Sequence, residues 1–274
     1  MEKSGNLLFL EIILDGLWFL CYNIEKWKGE LNMSAEKILD FVEKRAELKV
    51  VQGGKPEHPY AKRGKVGRTQ TMTALTLDEI ELMKSQFYAD FLGAKTEIKK
   101  QQKARNLLMF TIAINTGMRG SDVTTLQWED VFDFNGKVRT QALVKQRKTR
   151  YNVDLVLNEA VQEALLVYVL LFDIDVVNNR MGYIFESQKG NQITRRQMED
   201  VFKECAEKVK LSKSVATHTG RKTFARQYIE RNRDNIDALI GLSKALGHKD
   251  LAATMSYAGF DTELFADTVM AMNL

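Results

Sequence analysis

The residue types that could do chemistry in this 274-residue chain are few, and those that matter most fall between Arg119 and Tyr257. Arg119 stands just past a helix pattern that closes on Thr116-Gly117. His218 and Arg221 are three apart at the start of another helix, so they share a face. His248 follows Gly247 at a third helix end, and Tyr257 comes nine residues later among the small residues Ala252, Ala253, Ser256 and Ala258. Singly, each reads as a surface or capping residue. Together they suit a phosphodiester. Two fixed guanidiniums can each grip non-bridging oxygens in a bidentate fork. A tyrosine accepts a phosphoryl group once its phenolic proton is removed. A lysine can protonate the departing 5′ oxygen, and imidazoles move protons near neutral pH. The arginines supply the charge stabilisation that a metal clamp would otherwise give, so no metal or cofactor is expected. The three histidines (His58, His218, His248) and two cysteines (Cys21, Cys205), with no Cys-x-x-Cys pair, offer little for a zinc site.

The elements that must position these groups can be read from their ends. Thr76-Leu77-Asp78-Glu79 has the capping-box pattern that opens a helix. A second helix runs from about Thr96 to Thr116 and stops at Gly117, the expected left-handed cap. From Lys137 to Leu157, β-branched residues alternate with polar ones around Gln146-Arg147-Lys148-Thr149, the pattern of a hairpin. Asn158 caps a helix through about Phe172, and Tyr183–Phe185 reads as a short strand. Thr194-Arg195-Arg196-Gln197 is another capping box, opening a helix with Met198, Val201, Phe202, Cys205, Ala206 and Val209 on one face. Helices at Thr219–Glu230 and Asn235–Leu246 (ending at Gly247) follow, then two short ones around Ala253 and Phe265. Before all these, residues 7–22 suit a buried helix and Ser34–Leu48 an amphipathic one.

Composition bounds the class. An apolar fraction of 45% and a charged fraction of 28% are those of a folded globular chain. The most apolar stretch, Leu7–Tyr22, carries Glu11 and Asp15 and is too short to span a membrane. It also lacks the basic start and cleavage site of a secretory signal. Two cysteines make no disulfide framework, which points to a reducing cytoplasm. Net charge is 40 − 36 = +4, but its distribution says more. Residues 52–72 carry five cations against Glu57, with both prolines, and read as an exposed basic linker. Three parts are therefore expected: a short helical segment at 1–51, the linker at 52–73 and a larger domain at 74–274. Lys137–Arg150 holds Lys137, Arg139, Lys145, Arg147, Lys148 and Arg150 with no acid, a set that would repel itself unless an anion lay against it. Arg195 and Arg196 face outward beside a positive helix end, where phosphate or groove contact is natural.

The ordered set carries a resemblance. Thr116-Gly117-Met118-Arg119-Gly120-Ser121-Asp122, with Leu126-Gln127-Trp128-Glu129-Asp130-Val131, resembles the first arginine box of the tyrosine recombinase (phage integrase) family. His218-Thr219-Gly220-Arg221-Lys222-Thr223-Phe224-Ala225 is similar to the second box, although Gly220 stands where the family more often has leucine. Leu246-Gly247-His248 with Tyr257 resembles the third box and its nucleophile. Val144-Lys145-Gln146-Arg147-Lys148-Thr149 resembles the hairpin bearing the family's lysine. Lys145 and Lys148 both fit that lysine, and the Gln146-x-Lys148-Thr149 register with Val153 and Leu155 beyond it favours Lys148.

The resemblance covers roughly residues 74–274. It implies a mainly α fold with a small antiparallel β-sheet (α+β), the recombinase catalytic fold, preceded by a short helical N-terminal segment. It further implies that Arg119 and Arg221 clamp the scissile phosphate, that Tyr257 attacks it, that Lys148 is the general acid, that His218 assists proton transfer and that His248 orients the phosphate. Asp122 would support the fold. Lys145, Arg147, Arg195, Arg196 and Lys222 are the expected DNA contacts. The partners expected are double-stranded DNA, a homo-tetramer on DNA formed through the C-terminal helix at Asp261–Met272, and accessory DNA-bending proteins. A catalytically silent DNA-binding protein of the same fold and a type IB topoisomerase-like activity are the alternatives.

Overall fold

Helix ends in this chain follow their caps closely. The computed structural model describes residues 74–147, 150 and 152–260. The segments expected at 7–22, 34–48, 52–73 and 261–272, together with Lys148, lie outside the described residues. Among the described residues, helices α1 (Leu77–Leu92) and α2 (Glu97–Thr116) come first, followed by the single turns α3 (Gly120–Val123) and α4 (Trp128–Val131). Then come strands β1 (Gln141–Lys145) and β2 (Asn152–Val156). Helices α5 (Glu159–Leu171), α6 (Arg195–Lys208), α7 (Thr217–Arg231), α8 (Ile236–Leu246) and α9 (Leu251–Ala258) complete the order. Residues 74–168 and 175–260 belong to one compact unit, from which Val169–Ile174 group apart.

The expected caps are present. Thr76 and Glu79 close a full capping box at α1, with Thr76 N donating to Glu79 Oε2 at 2.8 Å. Thr194 and Gln197 do the same at α6. Asn158 accepts from Val161 N at the start of α5. The α6 face is buried as its spacing requires, with Met198 and Phe202 at 0% exposure. Helix α7 begins two residues before the expected start, at Thr217, because the Thr219 hydroxyl accepts from Ala216 N and closes the first turn early.

The hairpin is antiparallel, with Lys145 opposite Asn152 and Gln141 opposite Val156, and its strands are shorter than the sequence pattern suggests. One expectation fails: Tyr183–Phe185 is not a strand. Tyr183 makes a single bridge to Gln127, and the chain then turns. Ile184 and Phe185, both buried at 2% and 0%, form the turn, and only a second isolated bridge, Glu186 to Gln192, follows it.

The core explains which helices must touch. Phe87 of α1, Phe110 of α2 and Phe202 of α6 meet with ring centroids 5.4 to 6.4 Å apart. A second cluster joins Ala225 and Ile229 of α7 to Leu239, Leu242 and Leu246 of α8, with Ala258 and Phe260. Between the clusters, α2 is buried almost all round from Leu108 to Ile114 and packs on α7. The chain ahead of α1 is tied to α7 as well, through Leu75 N donating to the Thr223 hydroxyl at 2.9 Å.

That α2–α7 contact accounts for Gly220, where the resembling family more often has leucine. A Cβ on Gly220 would stand 2.9 Å from Ala113 Cβ and 3.2 Å from its carbonyl carbon and oxygen. The helices approach too closely for any side chain. Gly220→Ala is therefore expected to destabilise the protein by about 1–2 kcal/mol, since overpacking exceeds the helix-propensity gain of about 1 kcal/mol. Ala113→Gly in the same chain should restore part of the loss. Thermal denaturation of the wild type, Gly220→Ala and the double variant checks this, and an unchanged or raised Tm for Gly220→Ala would refute the close contact.

Candidate active site

The site is built on two helix ends. Gly117 closes α2 at φ +63°, and Gly247 closes α8 at φ +66°. A side chain at 117 is excluded twice over, by the backbone angle and by Phe224, whose ring would lie 2.3 Å from a Cβ. At α8, Gly247 N donates to Lys244 O and His248 N to Ser243 O, the two bonds of a Schellman motif. Chain reversal at these caps throws Arg119 and His248 back across the helix ends.

Arg221, in the first turns of α7, lies between those ends. It is 5% exposed. Its Nη1 donates to Gly117 O at 2.7 Å and its Nη2 to Leu246 O at 2.6 Å. A buried guanidinium must be hydrogen-bonded, and helix C-terminal carbonyls are acceptors that also carry partial negative charge. Burial and then the nearby Arg119 pull the Arg221 guanidinium below its ordinary pKa, while Tyr257 and Asp122 act the other way.

Arg119 is half-buried. Its Nη1 donates to Gln146 Oε1 at 2.5 Å, and its Nη2 lies 3.9 Å from where a Cβ on Gly247 would stand, so the side chain reaches from the end of α2 to the end of α8. Asp122, three residues on and 5% exposed, accepts from Arg147 N at 3.0 Å. Two bonds thus fasten the hairpin end to the first arginine turn. The same hairpin end closes on itself through Arg150 N donating to Gln146 O at 2.9 Å, with Arg150 in the left-handed region at φ 60°.

His248 is fixed by Thr254, whose hydroxyl lies 2.9 Å from Nδ1. The Thr254 hydroxyl donates to Asp250 O at 3.3 Å. The contact to Thr254 fixes the orientation of the imidazole at Nδ1 and turns Nε2 to the opposite side of the ring. Burial, then Arg221 and Arg119, hold His248 below the ordinary histidine pKa, with Asp250 opposing. His218 is lowered likewise by burial, then by Arg195, Arg221, Lys222 and Arg119.

Tyr257 sits in the last turn of α9. Its ring meets the His248 ring edge-on, centroids 5.0 Å apart at 63°. Its hydroxyl oxygen is shut off from solvent and, among the described residues, has no hydrogen-bond partner of good geometry. Burial raises its pKa, while Arg221 foremost, and Arg119 less, favour the phenolate.

The structure therefore brings Arg119, His218, Arg221, His248 and Tyr257 into one neighbourhood. Lys222 joins them, its Nζ 5.2 Å from the centre of the Tyr257 ring. Arg195 is near enough to act on His218, whereas both Arg195 and Arg196 are exposed in the first turn of α6. Lys145 and Arg147 are exposed on the hairpin, and Lys148 lies outside the described residues. Beside Arg119, a cleft of about 300 Å³ is lined by Asp122, Gln127, Asp130, Gln146 and Tyr183 among others. Among the described residues, no three His, Cys, Asp or Glu side chains gather where a metal could be held. No described helix is long and apolar enough to cross a membrane. Sequence reasoning did not single out Gln146 as the partner of Arg119, nor Thr254 as that of His248. The one available signal was a hydroxyl on the buried side of a helix otherwise made of small residues.

Comparison with known proteins bears on the family and the fold. The family model described as the phage integrase family matches residues 68–263. The chain belongs to the phage integrase family. Relatives of this phage integrase chain include the probable integrase/recombinase YoeC of Bacillus subtilis (strain 168), 27% identical over 160 residues, 58% of this chain and 80% of that protein. The tyrosine recombinase XerD of Oceanobacillus iheyensis is 28% identical over 165 residues, 59% of this chain and 52% of that protein. The match thus spans about half the length of the XerD relative. Among solved structures, the XerH recombinase in its post-cleavage complex with palindromic difH substrate shares the fold at TM-score 0.56 and 21% identity, over 76% of this chain and 55% of that one. The XerA recombinase does so at TM-score 0.53 and 17% identity, over 100% and 93% of the respective chains. The fold is the mostly helical tyrosine recombinase catalytic fold with its small two-stranded antiparallel sheet.

The role of Asp122 can be tested apart from any activity. Asp122→Ala leaves the Arg147 N–H without its acceptor and is expected to cost about 1–3 kcal/mol, whereas Asp122→Asn keeps a carbonyl oxygen there and should cost less. Hydrogen exchange at the Arg147 amide should speed up in Asp122→Ala. Unchanged protection would show that the aspartate does not hold the hairpin.

Proposed function

We propose that this chain is a site-specific DNA recombinase that cuts and rejoins strands through a 3′-phosphotyrosyl intermediate, without metal or ATP. The observation that carries the reading is the Tyr257 hydroxyl, closed off from water and without a hydrogen bond of good geometry, in the field of two guanidiniums. A phosphodiester placed between Arg119 and Arg221 would receive charge-assisted hydrogen bonds on its non-bridging oxygens. The Tyr257 oxygen bonds to phosphorus and the bond to the 5′ oxygen breaks. The phenolic proton passes to the solvent side with help from His218, and the leaving oxygen takes a proton from Lys148. His248, held at Nδ1 by Thr254, orients the phosphate by hydrogen bonding from Nε2. Energy of the broken bond stays in the tyrosyl ester, so transfer to a new 5′ hydroxyl is nearly isoenergetic.

Reciprocal exchange needs two duplexes and four cuts, hence four copies on DNA. Segment 261–272, with Leu264, Phe265, Val269 and Met270 in its sequence, is the element we assign to linking them. Accessory DNA-bending proteins and a cytoplasmic, DNA-associated location follow from the same reading. Lys145, Arg147, Arg195 and Arg196 supply the surrounding phosphate contacts.

Incubation with nicked suicide duplexes drawn from the ends of the surrounding mobile element, followed by denaturing electrophoresis, tests the proposal. A covalent adduct that vanishes in Tyr257→Phe is the expected result. Tight binding without an adduct would identify a silent binder, and relaxation of any supercoiled plasmid a topoisomerase. Affinity should fall steeply with salt, by a slope of about −0.9 per phosphate neutralised. It should also rise as pH falls. In the DNA-free protein both histidines have pKa values below the ordinary one, and a phosphate that offsets the arginines raises them. Between the free and bound values, binding takes up protons, up to about tenfold in affinity per pH unit per proton. Affinity that is flat from pH 5.5 to 8, measured by fluorescence anisotropy, would refute that linkage.

A further inference from the structure

We infer that Lys222 is a positioning residue for the Tyr257 nucleophile rather than a DNA contact, an assignment that rests on the recombinase reading above. The problem it solves is orientation. The Tyr257 hydroxyl is closed to solvent and makes no hydrogen bond of good geometry, having only the Arg221 guanidinium nearby to influence its direction. Contacts on the ring must therefore contribute to that direction.

Three such contacts are present. The His248 ring meets one edge at 5.0 Å. Tyr257 also packs against the apolar cluster that joins α7, α8 and the end of α9. The Lys222 ammonium stands over the aromatic face at 5.2 Å, within the range of a cation–π interaction. The placement follows from helix geometry. Successive residues on α7 point about 100° apart, so Arg221 turns inward to the helix ends while Lys222 turns sideways onto the ring. Lys222 is half-buried, and burial lowers its ammonium pKa, as expected of a side chain packed on an aromatic surface rather than extended into water.

The contact also has the right dependence on the reaction. The ring quadrupole attracts the ammonium weakly while the phenol is neutral. As the oxygen loses its proton and approaches phosphorus, negative charge spreads into the ring and the attraction grows. An interaction stronger in the transition state than in the ground state raises the rate of the chemical step rather than the affinity. Lys222 therefore acts through Tyr257, holding its ring and favouring its developing charge.

The experiment separates this role from phosphate binding. Full-length wild type, Lys222→Met and Lys222→Arg are compared on a nicked suicide duplex from the element end, for single-turnover adduct formation at saturating protein and for the salt dependence of binding. Lys222→Met keeps the length and removes the charge; Lys222→Arg restores a cation able to lie on the ring. The expected result is a rate at least about tenfold lower in Lys222→Met, restored to within about threefold in Lys222→Arg, with Kd and its salt slope unchanged. A salt slope smaller by about 0.9 with an unchanged single-turnover rate would make Lys222 a phosphate contact and overturn the assignment. Equal loss in both variants would overturn it too, since a cation alone should suffice. Should Lys222→Met fail to fold, as judged by its thermal transition, Lys222→Gln replaces it with the same outcomes. Absence of any adduct from the wild type would instead remove the recombinase reading itself.

Discussion

A guanidinium cannot be buried unless its N–H groups are bonded, and that requirement organises this site. Arg221 meets it with carbonyls at the ends of two helices that are remote in sequence, Gly117 O after α2 and Leu246 O at the end of α8. Those carbonyls are available because each helix stops on a left-handed glycine, which leaves the final turn without continuing N–H donors. The glycines thus do two things at once: they end the helices and present the acceptors that accept the cation. Arg119 lies two residues beyond one cap, and His248 directly follows the other. One buried side chain therefore fixes where both of them start, and it does so from α7, the helix that also carries His218 and Lys222.

The same arrangement is costly in the absence of an anion. Arg119 and Arg221 repel each other, and both depress the two histidines. Asp122 offsets part of this, yet one of its oxygens is committed to Arg147 N on the hairpin. The site holds more positive charge than its own acids neutralise. A folded protein tolerates such a grouping where ligand charge completes it, which is why perturbed groups concentrate at working sites.

How much of this was legible from the sequence depends on what each residue type can do alone. Gly117 and Gly247 were legible because a glycine after an apolar helix has few other uses, and the arginine and histidine beyond them inherit that position. The capping boxes at Thr76 and Thr194 were legible for the same reason. The Arg119–Gln146 and His248–Thr254 pairs were not, because amides and hydroxyls are common and their partners are set by how the hairpin and α9 dock. Tyr183–Phe185 misled because an apolar run without alternation fits a buried turn as well as a strand. Gly220 looked like a departure until Ala113 was found against it. Lys222 reads in sequence as one more cation in a basic chain, and only the position of a ring on another helix gives it a different meaning.

The last element of the site shows how Tyr257, the nucleophile of the proposed reaction, is held. Helix α9 is short, Leu251–Ala258, capped at its start by Asp250 and ended by Gly259 at φ +88°. It is tied back to α8 by the Ser243 hydroxyl donating to Asp250 O and by the Thr254–His248 bond. None of these bonds involves the Tyr257 oxygen, and none could without harm. An oxygen that must form a bond to phosphorus loses nucleophilicity with every donor it accepts from, and a phenol buried beside a carboxylate would be held protonated. Gripping the ring by its face and edge, and anchoring the helix by its first turn, leaves the oxygen aimed but uncommitted. The desolvation that raises its pKa is then opposed by Arg221 and Arg119, the same groups that would hold the phosphate under attack. In the proposed reaction, activation of the nucleophile and stabilisation of its target would thus be one electrostatic feature, supplied by a single pair of arginines.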